Sequence, residues 1–383
     1  MRVIFTTWAW PSHLYAMVPL AWACRAAGHD VLVATQPALL DTVRRTGLPV
    51  APVGHDVDAL AAFRDIALPP AEPAGGAKPR GGPRVLGLFA ALAESMVDDL
   101  IALGRTWQAD LVVYEPTAMA GPLAAAALGV PAVRHLYGTD LLGAAGPFLA
   151  EALDPLRRKL GLDDVDLSGV ATVDPCPAGL QVPVASRRVP MRYTPFNGPG
   201  TFPRPSARSG RPRVCVTWGT TPARVDRRLF LAGEVTRAIA GLDVDVVVAV
   251  TSAQRELLGD LPREACVVES APLHLLLPEC DLVVGHGGAG TILTALANGL
   301  PMLLIPCLPD HVRHSARAGE SGAAVVLPAR CDDAEPIRNG LTELLATPAH
   351  HTAAERLRRE LAEQPTPAQV VGELEGLVAA PIA

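Results

Sequence analysis

Aromatic residues are scarce, with Phe, Tyr and Trp making up 4% of the 383 residues. So few rings offer no base-stacking platform of the kind that binds single-stranded nucleic acid. Charge of one sign is also missing. Lys and Arg number 33 against 39 Asp and Glu, a formal net charge of −6 with no large block of either sign. No electrostatic footprint exists for a phosphate backbone or an anionic bilayer, so neither nucleic acid nor a membrane is expected as a partner. The most apolar stretch, Ala118 to Val133, is broken by Gly121, Pro122, Gly129 and Pro131. It falls short of the ~20 residues of a membrane-spanning helix. Met1 to Thr7 turns polar after three apolar positions, unlike the apolar segment of a signal peptide. Seven cysteines, an odd number without Cys-x-x-Cys spacing, fit buried small hydrophobes in a reducing compartment. A soluble, cytoplasmic protein is expected.

Metal chemistry finds no spacing to support it. Asp243 and Asp245 precede a predicted strand, while the pairs Asp56/Asp58 and Asp164/Asp166 lie in loop-like stretches. No zinc or EF-hand pattern occurs, and no G-x-S-x-G marks a hydrolase.

What is present is a 49% hydrophobic chain in which short β-rich runs alternate with amphipathic helices. Arg2 to Thr7, Asp30 to Ala34, Val50 to Val53, Leu111 to Tyr114 and Ala132 to His135 read as strands. Arg213 to Trp218, Val244 to Val250, Ala265 to Glu269, Leu282 to Gly285 and Met302 to Ile305 repeat the pattern. Such alternation implies parallel sheets covered by helices. Pro69 to Pro83 reads as a mobile surface loop, and Pro190 to Pro212, crowded with Pro, Gly and basic residues, reads as a linker. The fold class is therefore α/β, with two Rossmann-like domains facing each other across a cleft. Their ligands are expected beyond the carboxyl ends of the strands.

The strongest motif is Gly285-His286-Gly287-Gly288-Ala289-Gly290-Thr291, a strand that runs through glycines into a helix. Free N–H groups and the positive helix end make such a junction an anion site, to which His286 and Thr291 add donors. Gly285-x-Gly287-x-x-Gly290 also fits the dinucleotide fingerprint, with Asp310 further on. That fingerprint usually follows the first strand of its domain, however, and several strands precede it here. His13, after Pro11-Ser12 and beyond the first strand, is placed to act as a general base or simply as a helix-start histidine.

Val267 to Pro328, containing this glycine block, resembles the nucleotide-sugar signature of GT-B glycosyltransferases of family 1. Trp10 to Val31 resembles the acceptor half of the bacterial branch that attaches deoxysugars to macrolide and aromatic polyketide antibiotics. The resemblance implies an acceptor domain over 1–200, a donor domain over 201–345 and final helices over 346–383 that pack back toward the N-domain. It implies that His286, Gly287, Gly288, Gly290 and Thr291 hold a diphosphate, with Gly219, Thr220 and Thr221 reaching it too. The base would lie near Ser270, Ala271 and Leu273. Asp310 and His311 fall where the family places an acidic residue followed by Gln to bind sugar hydroxyls. His in place of Gln fits a deoxysugar better, and a helix-cap role stays open for Asp310.

For catalysis the resemblance implies His13 as base, Glu115 as the acid that orients it, and Asp140 as an alternative base or a capping acid. Trp8, Trp10, Ser12, Phe63 and Tyr137 are expected to line the acceptor site. The implied reaction is inverting, metal-independent transfer of a deoxyhexose from an NDP-sugar, dTDP foremost, to a polyketide-type aglycone, through O- or C-glycosylation. No cofactor is expected beyond this co-substrate. An NDP-sugar epimerase and an inactive helper subunit are the competing readings. A homodimer and a helper protein both stay open as partners.

Overall fold

The computed structural model describes residues 1–67, 81–183, 187–203, 205 and 208–379. It divides into two compact units. Unit 1 comprises Met1–Pro175, Val182–Thr194 and Gln364–Ala383, and unit 2 comprises Cys176–Gln181 and Pro195–Glu363. Positions 69–80 of the expected surface loop lie outside the described residues; its last three begin a helix at Gly81 that runs to Trp107.

Unit 1 carries strands β1 (Arg2–Thr6), β2 (Asp30–Thr35), β3 (Val50–Pro52), β4 (Leu111–Tyr114), β5 (Ala132–His135), β6 (Ala171–Asp174) and β7 (Arg188–Pro190). All pair in parallel, in the order β3-β2-β1-β4-β5-β6-β7. Unit 2 carries β8 (Arg213–Thr217), β9 (Asp245–Val250), β10 (Cys266–Glu269), β11 (Leu282–Gly285), β12 (Met302–Leu304) and β13 (Ala324–Val326). These are again parallel, in the order β10-β9-β8-β11-β12-β13. The central strands are buried on both faces, which is why they read as unbroken apolar runs rather than as alternation.

Each sheet reverses its direction of winding once, between β1 and β4 in unit 1 and between β8 and β11 in unit 2. At such a switch point the loops leaving two adjacent strands diverge to opposite faces and open a crevice. The register aligns their exits: Thr6 pairs with Tyr114, and Thr217 with Gly285. The loop to His13 therefore starts beside the loop that begins at Glu115. The loop Trp218–Thr221 starts beside His286 in the same way. Gly121 permits the tight packing of the helix Ala120–Leu128, since a Cβ there would lie 2.5 Å from Tyr114 Cβ and 3.1 Å from Thr6 Cγ2.

One expectation changes. The helix Pro348–Glu363 packs on the helix Ala289–Ala297 within unit 2, and only the last helix, Pro367–Ala379, joins unit 1, against the helix Pro11–Ala26. The physical reason is that the buried face of the first of these helices, Ala354, Leu357 and Leu361, is spent in unit 2. The Pro190 to Pro212 stretch, expected as a linker, contains the passage from unit 1 at Thr194 to unit 2 at Pro195, and its unit 2 part is anchored. Asn197 Nδ2 donates to Thr294 Oγ1 at 3.0 Å, its Oδ1 accepts from the His274 N–H at 3.0 Å, and Thr201 N–H donates to the Ser270 carbonyl at 3.2 Å. Positions 204, 206 and 207 of that stretch lie outside the described residues.

Candidate active site

In unit 1 the loop after β1 delivers His13 on the first turn of the helix Pro11–Ala26, which starts with Pro at its first position. Proline there needs no N–H partner and presets the helical φ. His13 Nδ1 lies 3.2 Å from Glu115 Oε2, with the carboxylate fully buried and the imidazole side chain 12% exposed. Tyr137 stacks on the imidazole, with ring centroids 4.1 Å apart and planes 12° from parallel. Thr117, which the sequence reading missed, sits between these groups. Its backbone N–H donates to Glu115 Oε2 at 2.9 Å and its hydroxyl contacts both carboxylate oxygens, at 2.7 and 2.8 Å. The Glu-x-Thr spacing was the available signal: a hydroxyl two residues on can fold back onto the carboxylate that precedes it.

The expected acceptor rings divide into two groups. Trp8 and Trp10 are 1% and 5% exposed and belong to the hydrophobic core, so they do not present ring surface to a ligand. Phe63, packed against Trp10 at 5.3 Å, and Tyr137 remain partly buried, and Ser12 is exposed. For Asp140 the expectation is an alternative base or a capping acid. Its carboxylate is fully buried and ion-paired to Arg134 at 2.7 Å, accepts from the Gly143 N–H at 2.9 Å and has Arg188 at 3.7 Å. The Gly143 contact fits the capping alternative, and the Arg134 pair engages the oxygen that a base would need.

In unit 2, Gly219 (φ +57°) and Gly288 bracket the ring of His286. A Cβ on either would approach that ring to 2.6 or 2.4 Å. Gly287 (φ +80°) takes a left-handed turn that would press a side chain onto Ser315 Oγ. Gly288, extended at φ −68° and ψ 139°, opens the nine-residue helix Ala289–Ala297, on whose first turn lie exposed Gly290 and buried Thr291. This helix start lies at the β8/β11 switch point, where the positive end of a helix suits an anion. Thr220 is exposed and Thr221 half-buried beside it, and Gln254 Nε2 donates to the Gly219 carbonyl and fixes that loop. Ser270 is exposed with φ +52°, and Ala271 and Leu273 are half-buried at the end of β10.

His286 is held neutral, its pKa well below the usual value, by burial and by the adjacent His311; Asp310 and the Thr217 backbone oppose this only in part. His311 is 3% exposed, its Nδ1 lies 3.4 Å from Cys307 Sγ, and its ring meets that of His286 edge to face at 4.7 Å. Burial pushes its pKa down to about 3. His311 thus supports His286 instead of standing in the open as a sugar contact. Asp310, with a side chain 46% exposed in the first turn of the helix Pro309–Glu320, remains open to a ligand.

These two neutral histidines set an acid limit. Both bind protons near pH 6.5 when unfolded but far lower when folded, so stability is constant above that pH and falls below it. Between pH 6.5 and 5.5 the pair costs unit 2 about 2 kcal/mol. Urea midpoints measured at the two pH values should show that loss, with about half of it removed in His311→Gln.

Among the described residues no helix is long and apolar enough to cross a membrane, and no group of three or more His, Cys, Asp and Glu is placed to hold a metal ion.

A His–carboxylate pair at the switch point of one parallel α/β unit, and a glycine-lined helix start around a neutral histidine at that of a second, define a GT-B glycosyltransferase. The chain belongs to the Erythromycin biosynthesis protein CIII-like family, whose N-terminal domain matches residues 22–219 and whose C-terminal domain matches residues 233–377. It is 36% identical to the 10-deoxymethynolide desosaminyltransferase of Streptomyces venezuelae, over 99% of this chain and 97% of that protein. Among solved structures it is similar to the glycosyltransferase VinC in complex with dTDP (33% identity, TM-score 0.80, 99% of both chains). It is also similar to the spinosyn rhamnosyltransferase SpnG complexed with spinosyn aglycone (31% identity, TM-score 0.83, 98% of this chain and 100% of that one).

Proposed function

We propose that this glycosyltransferase moves a deoxyhexose from dTDP to a hydroxyl of a polyketide-type aglycone, in one displacement that inverts the anomeric carbon. The observation that carries the mechanism is the 3.2 Å contact between His13 Nδ1 and buried Glu115. A carboxylate at Nδ1 keeps the proton there and leaves the Nε2 lone pair as the base. Nε2 takes the acceptor proton as the acceptor oxygen bonds to the anomeric carbon. The bond from that carbon to the β-phosphate oxygen breaks, and its electron pair leaves with the diphosphate.

Negative charge therefore grows on the phosphate in the transition state. The N–H groups at Gly288–Thr291, the neutral His286 ring and the Gly219–Thr221 loop meet it with fixed dipoles, so no metal is needed. A half-buried ring surface at Phe63 and Tyr137 suits a flat or apolar aglycone. The named substrates of the relatives, 10-deoxymethynolide and spinosyn aglycone, and the dTDP bound to VinC support the same substrate classes.

The test is a panel of dTDP-deoxysugars against macrolide and aromatic polyketide aglycones. The expected result is a glycoside of inverted anomeric configuration, formed undiminished in EDTA. Donor consumed without acceptor, or a product of retained configuration, would refute the assignment.

A further inference from the structure

Glu115 is a fully buried carboxylate whose donors are all identifiable. Thr117 contributes its N–H and its hydroxyl, and His13 contributes Nδ1. The hydroxyl has further neighbours. Trp8 Nε1 lies 2.7 Å from Thr117 Oγ1, and His13 Nδ1 lies 3.4 Å from it.

A hydroxyl has one proton and two lone pairs, and an indole nitrogen can only donate. Trp8 therefore occupies one lone pair of Thr117. An ionised carboxylate can only accept, so the single Thr117 proton goes to Glu115. The second lone pair is left facing His13 Nδ1. With acceptors alone around it, Nδ1 has to carry the imidazole proton.

We infer that Trp8 and Thr117 are positioning residues: a hydrogen-bond relay from the Trp8 indole through the Thr117 hydroxyl to Glu115 fixes the tautomer of His13. The inference rests on the proposed role of His13 as base. Trp8 suits the task because its ring is locked in the core, 4.7 Å from Trp10, so its N–H has a fixed direction. The three residues come from the loops after β1 and β4, which the sheet register starts side by side. Among the described residues, Glu115 and Tyr137 are the titratable groups in contact with His13.

Thr117→Val keeps the shape and deletes the hydroxyl, Thr117→Ser keeps the hydroxyl, and Trp8→Phe keeps a ring and deletes the indole N–H. The expected result for Thr117→Val is a kcat lower by about 10- to 100-fold, the effect of one lost hydrogen bond to a charged group. KM for donor and acceptor should stay within about twofold, since a group that acts through the base does not touch ground-state binding. Thr117→Ser should restore kcat, and Trp8→Phe should lower kcat several-fold with the same KM pattern.

Wild-type kcat in Thr117→Val, or an equal loss in Thr117→Ser, would overturn the relay. If Thr117→Val does not fold, Trp8→Phe decides: wild-type kcat there overturns the relay. His13→Ala, assayed alongside, separates the two levels. Turnover surviving in His13→Ala refutes the base itself, whereas an inactive His13→Ala beside a fully active Thr117→Val refutes the relay alone.

Discussion

His13→Ala should lower turnover about 100- to 10,000-fold, the range that general-base catalysis supplies, while calorimetric binding of dTDP stays as in the wild type. The split follows from where the groups lie. His13 sits on unit 1, at the β1/β4 switch point, and the groups proposed to hold the diphosphate sit on unit 2. Folding should survive, because the imidazole is partly exposed and its removal leaves no large void. Only Glu115 loses a donor, and it keeps two from Thr117. Glu115→Gln, in contrast, keeps the outline of the site but offers Nδ1 an amide that donates as well as accepts. It should lower kcat without restoring any binding defect, since none exists to restore. Wild-type turnover in His13→Ala would remove this histidine from the chemistry.

Much of this architecture was legible in the sequence. Central strands such as Leu111–Tyr114 and Leu282–Gly285 announce themselves because both of their faces are buried. Strands β6, β7 and β13 were not legible. They have three or four residues each, and β7 and β13 are sheet edges where pairing, not composition, makes the strand. Arg188–Pro190 even ends in proline, which an edge tolerates.

The candidate site was legible where a motif is local. Gly285 to Thr291 is one continuous segment, and its glycines name their own purpose. His13 and Glu115 are about a hundred positions apart, and only the register of β1 against β4 brings them together. The Glu-x-Thr spacing could have tied Thr117 to Glu115, but its place beside His13 and Trp8 needed that same register. Burial was the other blind spot. Trp8 and Trp10 alternate beside His13 in the sequence as though lining a pocket, yet both turn into the core, and His311 turns beneath His286. A polar or aromatic side chain next to a site looks the same in sequence whether it faces the ligand or supports a residue that does.

Asp140 offers the sharpest contrast between a chemical and a supporting role, and the second large effect is expected there. Asp140→Ala should destabilise unit 1 by about 3–5 kcal/mol, because it leaves Arg134 as an uncompensated buried charge. Arg134 and Asp140 side chains are 4% and 0% exposed, so solvent screens neither. Arg188, 21% exposed, keeps its closer pair with Asp174 at 3.1 Å when its 3.7 Å contact with Asp140 is lost. Replacing both buried partners by apolar residues, as in Arg134→Met with Asp140→Leu, should recover most of the loss, since the desolvation cost disappears with the charges. Urea unfolding of the single and double variants measures this. Activity then separates the two roles. Asp140 caps the loop that carries Tyr137 onto the His13 ring, through its bond to the Gly143 N–H. A supporting residue predicts a double variant that is stable and retains turnover with a raised acceptor KM. A stable double variant without turnover would return Asp140 to the chemistry as a base.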